Sequence, residues 1–155
     1  MGIDFPASIG SAKDSQTHQF KNLKNVTIDF DQDHWVTVVI GWNGTGKSNV
    51  LEALAIIFRD LIGKERKPAF AFKLAYRMGT GEGVRHIHVD ADPDRESEPF
   101  IIHVATDSEA RGEGTLIPFI EVDEAVSALR GKAIKLTAFL NADAEYLPRY
   151  VFSYY

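Results

Sequence analysis

"VTVVIGWNGTGKSNVLEALAIIF", Val36 to Phe58, passes from a β-branched apolar run through a glycine-rich loop and a Lys-Ser pair into a second apolar run. Within it, Gly41-Trp42-Asn43-Gly44-Thr45-Gly46-Lys47-Ser48 satisfies the phosphate-loop pattern Gly-x4-Gly-Lys-Ser. Glycines at 41, 44 and 46 open backbone angles closed to other residues, so the main chain can close around a phosphate with successive N–H groups turned inward. The helix that opens near Gly46 aims the positive end of its dipole at the same point. Lys47 then supplies a mobile ammonium for terminal phosphates, and Ser48 a hydroxyl for Mg²⁺.

The context agrees with the loop. Trp35 to Ile40 is almost wholly apolar, the pattern of a strand covered on both faces of a sheet. From Gly46 to about Ile62, the residues Val50, Leu51, Leu54, Ile57, Phe58 and Leu61 recur at three- and four-residue spacing, which predicts one helix with Gly63 as its C-terminal stop. Upstream, Leu23, Val26, Ile28 and Phe30 nearly alternate with polar residues and predict a half-buried strand over Phe20–Phe30, followed by a turn at Asp31–His34. Residues 1–19 mix Ser, Asp, Gln, Gly and Pro without period and read as a poorly ordered lead-in.

After Gly63 the texture changes. "KERKP" is a solvated loop, and "AFAFKLAYRM", "VRHIHVD" and "FIIHVAT" read as three strands of an antiparallel meander. A helix is predicted from Asp123 or Glu124 to Arg130, ended by Gly131, and another over about Ala133–Leu140. "LPRYVFSYY" begins a further strand after Pro148, so the chain reads as ending in mid-strand.

The 155 residues, 45% hydrophobic and 25% charged, suffice for one domain with a buried core. The absence of cysteine excludes disulfides, Cys-ligated zinc and thiol catalysis, and suits a reducing compartment. No apolar run approaches the ~18 residues of a membrane span, and the N-terminus has neither a basic start nor an apolar signal core. A cytoplasmic protein with no membrane partner is the expectation. The Met-Gly start is no acylation signal, because Pro6 stands where Ser or Thr is needed. A formal net charge of −5 offers no broad cationic face to a nucleic-acid backbone.

"FKNLKNVTIDF" followed by "VTVVIGWNGTGKSNVLEAL" resembles the N-terminal signature of ABC-type ATPases of the SMC, RecF and OLD group, which includes many bacterial defence- or restriction-associated ATPases. Asn43, Asn49 and the Leu51-Glu52-Ala53 trio make this likeness more specific than the phosphate loop alone. The resemblance implies an α/β P-loop NTPase fold, the N-terminal part of an ABC-type head with an antiparallel β lobe. It divides the chain into a P-loop core over 20–63, a β lobe with helices over 64–147, and the start of the next core strand over 148–155. It further implies ATP and Mg²⁺ as cofactors, with Gly41, Asn43, Gly44, Thr45, Gly46, Lys47, Ser48 and Asn49 around the nucleotide and Ser48 at the metal. Heads of that group sandwich ATP, so a homodimer or higher oligomer and a DNA or nuclease partner are implied with it. Glu52 reads as a structural ion-pair member, and Phe20, Lys21 or Lys24 as neighbours of the base, with Phe20 better read as a half-buried strand residue.

Hydrolysis in that group also needs an acidic pair at the end of an apolar strand. Asp123-Glu124, after "LIPFIEV", is the weak catalytic candidate. Pro118 and Glu121 do not suit a central parallel strand, and the pair reads better as a helix cap with an acidic first turn. No Ser-Gly-Gly signature and no following Gln are present, so the chain reads as the N-terminal portion of an ATPase. A non-catalytic nucleotide-binding assembly module, and a P-loop kinase or GTPase of another class, are the alternatives. His86 and His88 share a strand face, with His103 on another strand, and read as surface or core histidines rather than metal ligands. Asp90 to Glu98 reads as a solvated acidic connection, and the aromatics from Tyr146 onward as packing residues.

Overall fold

The computed structural model describes residues 1–5, 20–29, 46–110 and 131–149. The predicted strand over Trp35–Ile40, the loop residues Gly41 to Thr45, the pair Asp123-Glu124 with its helix, and the segment from Tyr150 onward lie outside the described residues.

Among the described residues, six strands form one antiparallel sheet: β1 (Gly2–Phe5), β2 (Val26–Asp29), β3 (Phe72–Met78), β4 (Arg85–Ala91), β5 (Phe100–Thr106) and β6 (Lys132–Ile134), in the order β2-β1-β3-β4-β5-β6. The meander read from the sequence is β3 to β5, in register through Leu74↔Val89 and Val89↔Ile102. Alternation sets the faces. Phe72, Leu74 and Tyr76 of β3, Ile87, Val89 and Ala91 of β4, and Phe100, Ile102 and Val104 of β5 are buried on one side. Each buried Val, Leu, Ile or Phe among them contributes roughly 1.5–3 kcal/mol on leaving water.

The long helix α1 (Lys47–Ile62) covers that side with Val50, Ala53, Leu54, Ile57, Phe58 and Leu61, and Phe58 meets Tyr76 edge-on at 5.4 Å. Two short helices, α3 (Leu136–Asn141) and α4 (Asp143–Tyr146), complete the cover. Phe139 is fully buried and stacks on Tyr146 at 5.4 Å, while the Tyr76 hydroxyl donates to the Tyr146 carbonyl at 2.8 Å. Tyr146 thus packs as read. Between β5 and β6, α2 (Asp107–Ala110) is a single turn that the sequence reading missed. Thr106 and Glu109 cap it reciprocally: the Glu109 N–H donates to Thr106 Oγ1 at 3.3 Å, and the Thr106 N–H donates to Glu109 Oε2 at 2.7 Å. That backbone bond holds the Glu109 carboxyl below its ordinary range.

Three expectations need correction. Gly2–Phe5, read as part of the lead-in, is a strand pairing both β2 and β3, with Ile3 0% and Phe5 1% exposed. Two apolar residues beside a Gly/Ser/Pro-containing stretch are too few for a period to stand out. The single strand over Phe20–Phe30 is instead a turn followed by β2, because Lys21 and Asn25 both take left-handed angles, φ 52° each. α1 ends as read, yet Gly63 is right-handed and Lys64 carries the left-handed angle, φ 61°. The helix read over Ala133–Leu140 gives its first residues to β6, where Ile134 pairs Ile102, and starts at Leu136.

Candidate functional site

Gly46 is the N-cap of α1, buried, with φ 95° and ψ 5°. That left-handed angle is closed to most side chains, and a Cβ placed there would lie 3.1 Å from Asn22 Oδ1 and 3.3 Å from Leu23 Cδ2. Glycine at 46 therefore answers two constraints: the turn into the helix and the close approach of another segment. The first helical bond runs from the Val50 N–H to the Gly46 carbonyl at 3.0 Å. A glycine cap has no side chain of its own to bond the first-turn amides.

Lys47 and Ser48 are the first two helical residues; Lys47 is half-buried and Ser48 exposed. No acidic residue stands in the first turn of α1, so nothing on the helix offsets the positive dipole end there. Of the residues read as phosphate- or metal-binding, Gly46, Lys47, Ser48 and Asn49 are thus together at one helix start. Gly41, Asn43, Gly44 and Thr45 lie outside the described residues.

A second segment borders this start. Phe20 and Leu23 bridge across a tight turn, with the Leu23 N–H donating to the Phe20 carbonyl at 3.0 Å. Leu23 is buried and the Phe20 ring packs on Phe70 at 4.6 Å, which anchors the turn in the core. Phe20 is half-buried, in keeping with its packing reading. At the tip, Asn22 Oδ1 accepts from Asn49 Nδ2 at 2.7 Å, and the Lys21 ammonium pairs with the Glu52 carboxylate. The Lys21 Nζ also lies 5.5 Å from the Phe20 ring centre. Glu52 is therefore an ion-pair member, as its place on the polar side suggested. Asn49, read as a ligand contact, turns its amide to Asn22. Asn22 was missed by sequence reading, since nothing in a linear pattern joins it to a helix 27 residues away.

The histidines occupy the other sheet face. His88 stands opposite His103, with His86 two residues along β4 and bonded to Asp107 at 3.0 Å. Burial first, then the neighbouring His86 and His103, push the His88 imidazole down to about 4. Among the described residues, no group of three His, Cys, Asp or Glu side chains is arranged to hold a metal ion. In the acidic connection, Arg95 pairs with Asp90, and the Asp92 carboxylate accepts from the Asp94 N–H at 2.9 Å.

No described helix is long and apolar enough to cross a membrane. Comparison with curated proteins and with solved structures returned no match. Residues 18–111 match the family described as AAA ATPase domain, a span that takes in the Phe20–Leu23 turn, the phosphate loop, α1 and the meander and covers more than half of the chain. Nucleotide binding and ATPase activity are what that domain denotes in general. The chain belongs to the AAA ATPase domain family.

Proposed function

We propose that residues 41–48 bind the triphosphate of ATP with Mg²⁺, as part of an ABC-type ATPase head of the SMC, RecF and OLD kind. The observation that carries this reading is Gly46: its left-handed angle delivers a glycine-rich loop into a helix whose first residues are Lys47 and Ser48. In such an arrangement Lys47 would hold the outer phosphates and Ser48 the metal, and the bound metal would draw charge from the phosphates. The antiparallel lobe packed on α1 supports the ABC-type assignment over a small kinase, and the domain is taken to run from β1 rather than from residue 20. Pairing of two heads around ATP, and coupling to DNA or to defence, follow from the resemblance in "GWNGTGKSNVLEAL" and stand on it.

Calorimetric titration with Mg-ATP tests the assignment. Lys47→Ala is expected to weaken binding by on the order of 2–4 kcal/mol, the loss expected when one partner of a desolvated charge pair is removed. Unchanged affinity in that variant would overturn it. Turnover by residues 1–155 alone, abolished by Asp123→Asn or Glu124→Gln, would make Asp123-Glu124 the acidic pair. Binding without turnover is the expected result.

A further inference from the structure

The tip of the Phe20–Leu23 turn touches the first two turns of α1, where the phosphate loop runs into the helix. Asn22 lies over Gly46, so close that a Cβ on Gly46 would meet its side-chain oxygen at 3.1 Å and its nitrogen at 3.3 Å. The same oxygen accepts from Asn49 Nδ2 at 2.7 Å, two residues past Lys47. One turn further, Lys21 pairs with Glu52. The turn itself is rooted in the core through Leu23 and through Phe20 on Phe70.

We propose that Asn22 is a positioning residue for the phosphate cradle: by covering Gly46 and bonding Asn49, it fixes the first turn of α1 from outside the helix. This rests on the nucleotide-binding reading above. The physical need is specific. The first four N–H groups of a helix have no partner within it, so the first turn frays unless something else holds it. Amides that must converge on one anion bind it best when they are already in place. A side-chain amide anchored to the core through a rigid turn meets that need without occupying the anion's position. A Ser or Asp cap would instead bond the amides themselves.

The test compares the wild-type chain with Asn22→Ala, Asn49→Ala and the double variant. ATP and inorganic tripolyphosphate are titrated calorimetrically at a temperature where each variant is fully folded, with melting followed separately without ligand. Asn22→Ala is expected to lose about fivefold in affinity for both ligands alike, the factor corresponding to one ordinary hydrogen bond. The double variant is expected to bind no more weakly than the weaker single variant, since both remove one contact. Asn22→Ser, too short to reach Asn49, should behave as Asn22→Ala and serves if the alanine variant folds poorly. Affinity within about twofold of wild type would overturn the proposal. So would a loss for ATP without a loss for tripolyphosphate, which marks a base contact, or losses that multiply in the double variant. Lys47→Ala separates the two levels. If it binds like wild type, or wild type binds neither ligand, the nucleotide reading fails and this inference falls with it. If Lys47→Ala loses binding while Asn22→Ala keeps it, only the positioning role is lost.

Discussion

Lys64 bears the backbone strain at the end of α1. The Glu65 N–H donates to the Asp60 carbonyl at 2.9 Å and the Lys64 N–H to the Leu61 carbonyl at 3.1 Å, the paired bonds of a Schellman closure. Its left-handed position falls on Lys64, φ 61°, one residue after the glycine that composition nominated. A side chain there is disfavoured by steric contact with the backbone, whereas glycine is not. Lys64→Gly should therefore raise unfolding stability by about 0.5–1 kcal/mol, seen as a higher urea midpoint at unchanged slope. A lower midpoint would mean that the lysine contributes more than its conformation costs. At the other end of the helix, the glycine is where it is needed, and Gly46 meets both an angle and a steric limit.

At the scale of elements, alternation along β4 gives the sheet two unlike sides. Ile87 and Val89 enter the core, while His86, His88 and Asp90 face the opposite side. His88 is met there by His103 from β5, by Ala75 directly across on β3 with Lys73 and Arg77 flanking it, and by His86 on its own strand. Its imidazole is held neutral, down at about 4 against an unfolded value near 6.5. The unfolded chain binds the extra proton first, so the stability is present above pH ~6.5 and is lost as pH falls towards ~4. The loss should reach roughly 3 kcal/mol, and His88→Gln should flatten that part of a pH series of urea midpoints. An equal slope in the variant would assign the effect to other groups. Helix α1 is also two-sided: Val50, Ala53, Leu54, Ile57, Phe58 and Leu61 are buried against the core, while Leu51 and Ile62 are 51% and 42% exposed. Leu51 fits the apolar spacing in sequence but falls on the flank, about 100° round from Val50.

For the whole molecule, the decisive arrangement is the place of β1. Gly2–Phe5 lies between β2 and β3, so among the described strands β2 joins the rest of the sheet only through β1. Ile3 pairs with Ile28 on one side and Leu74 on the other and is wholly buried. Ile3→Ala should cost about 2–4 kcal/mol in chemical denaturation, the range for a buried large-to-small change, although it lies in the first five residues. A cost under ~0.5 kcal/mol would show that β1 contributes little to the sheet. Because β2 follows the Phe20–Leu23 turn and pairs only with β1 among the described strands, the same strand supports the turn whose tip reaches α1.

The sequence by itself determined the phosphate loop's composition, the helix behind it and the three strands of the meander, because each depends on local spacing or on angles that only glycine tolerates. It also placed Glu52 on the polar side of α1. Tertiary structure decided which ammonium Glu52 meets, that Asn22 accepts from the Asn49 amide, and that four N-terminal residues form an interior strand. Those choices join residues 27 to 73 positions apart, from the Asn22–Asn49 pair to Gly2↔Ala75. Periodicity reports which face of an element is apolar, whereas partners across the chain are selected by packing of the whole core.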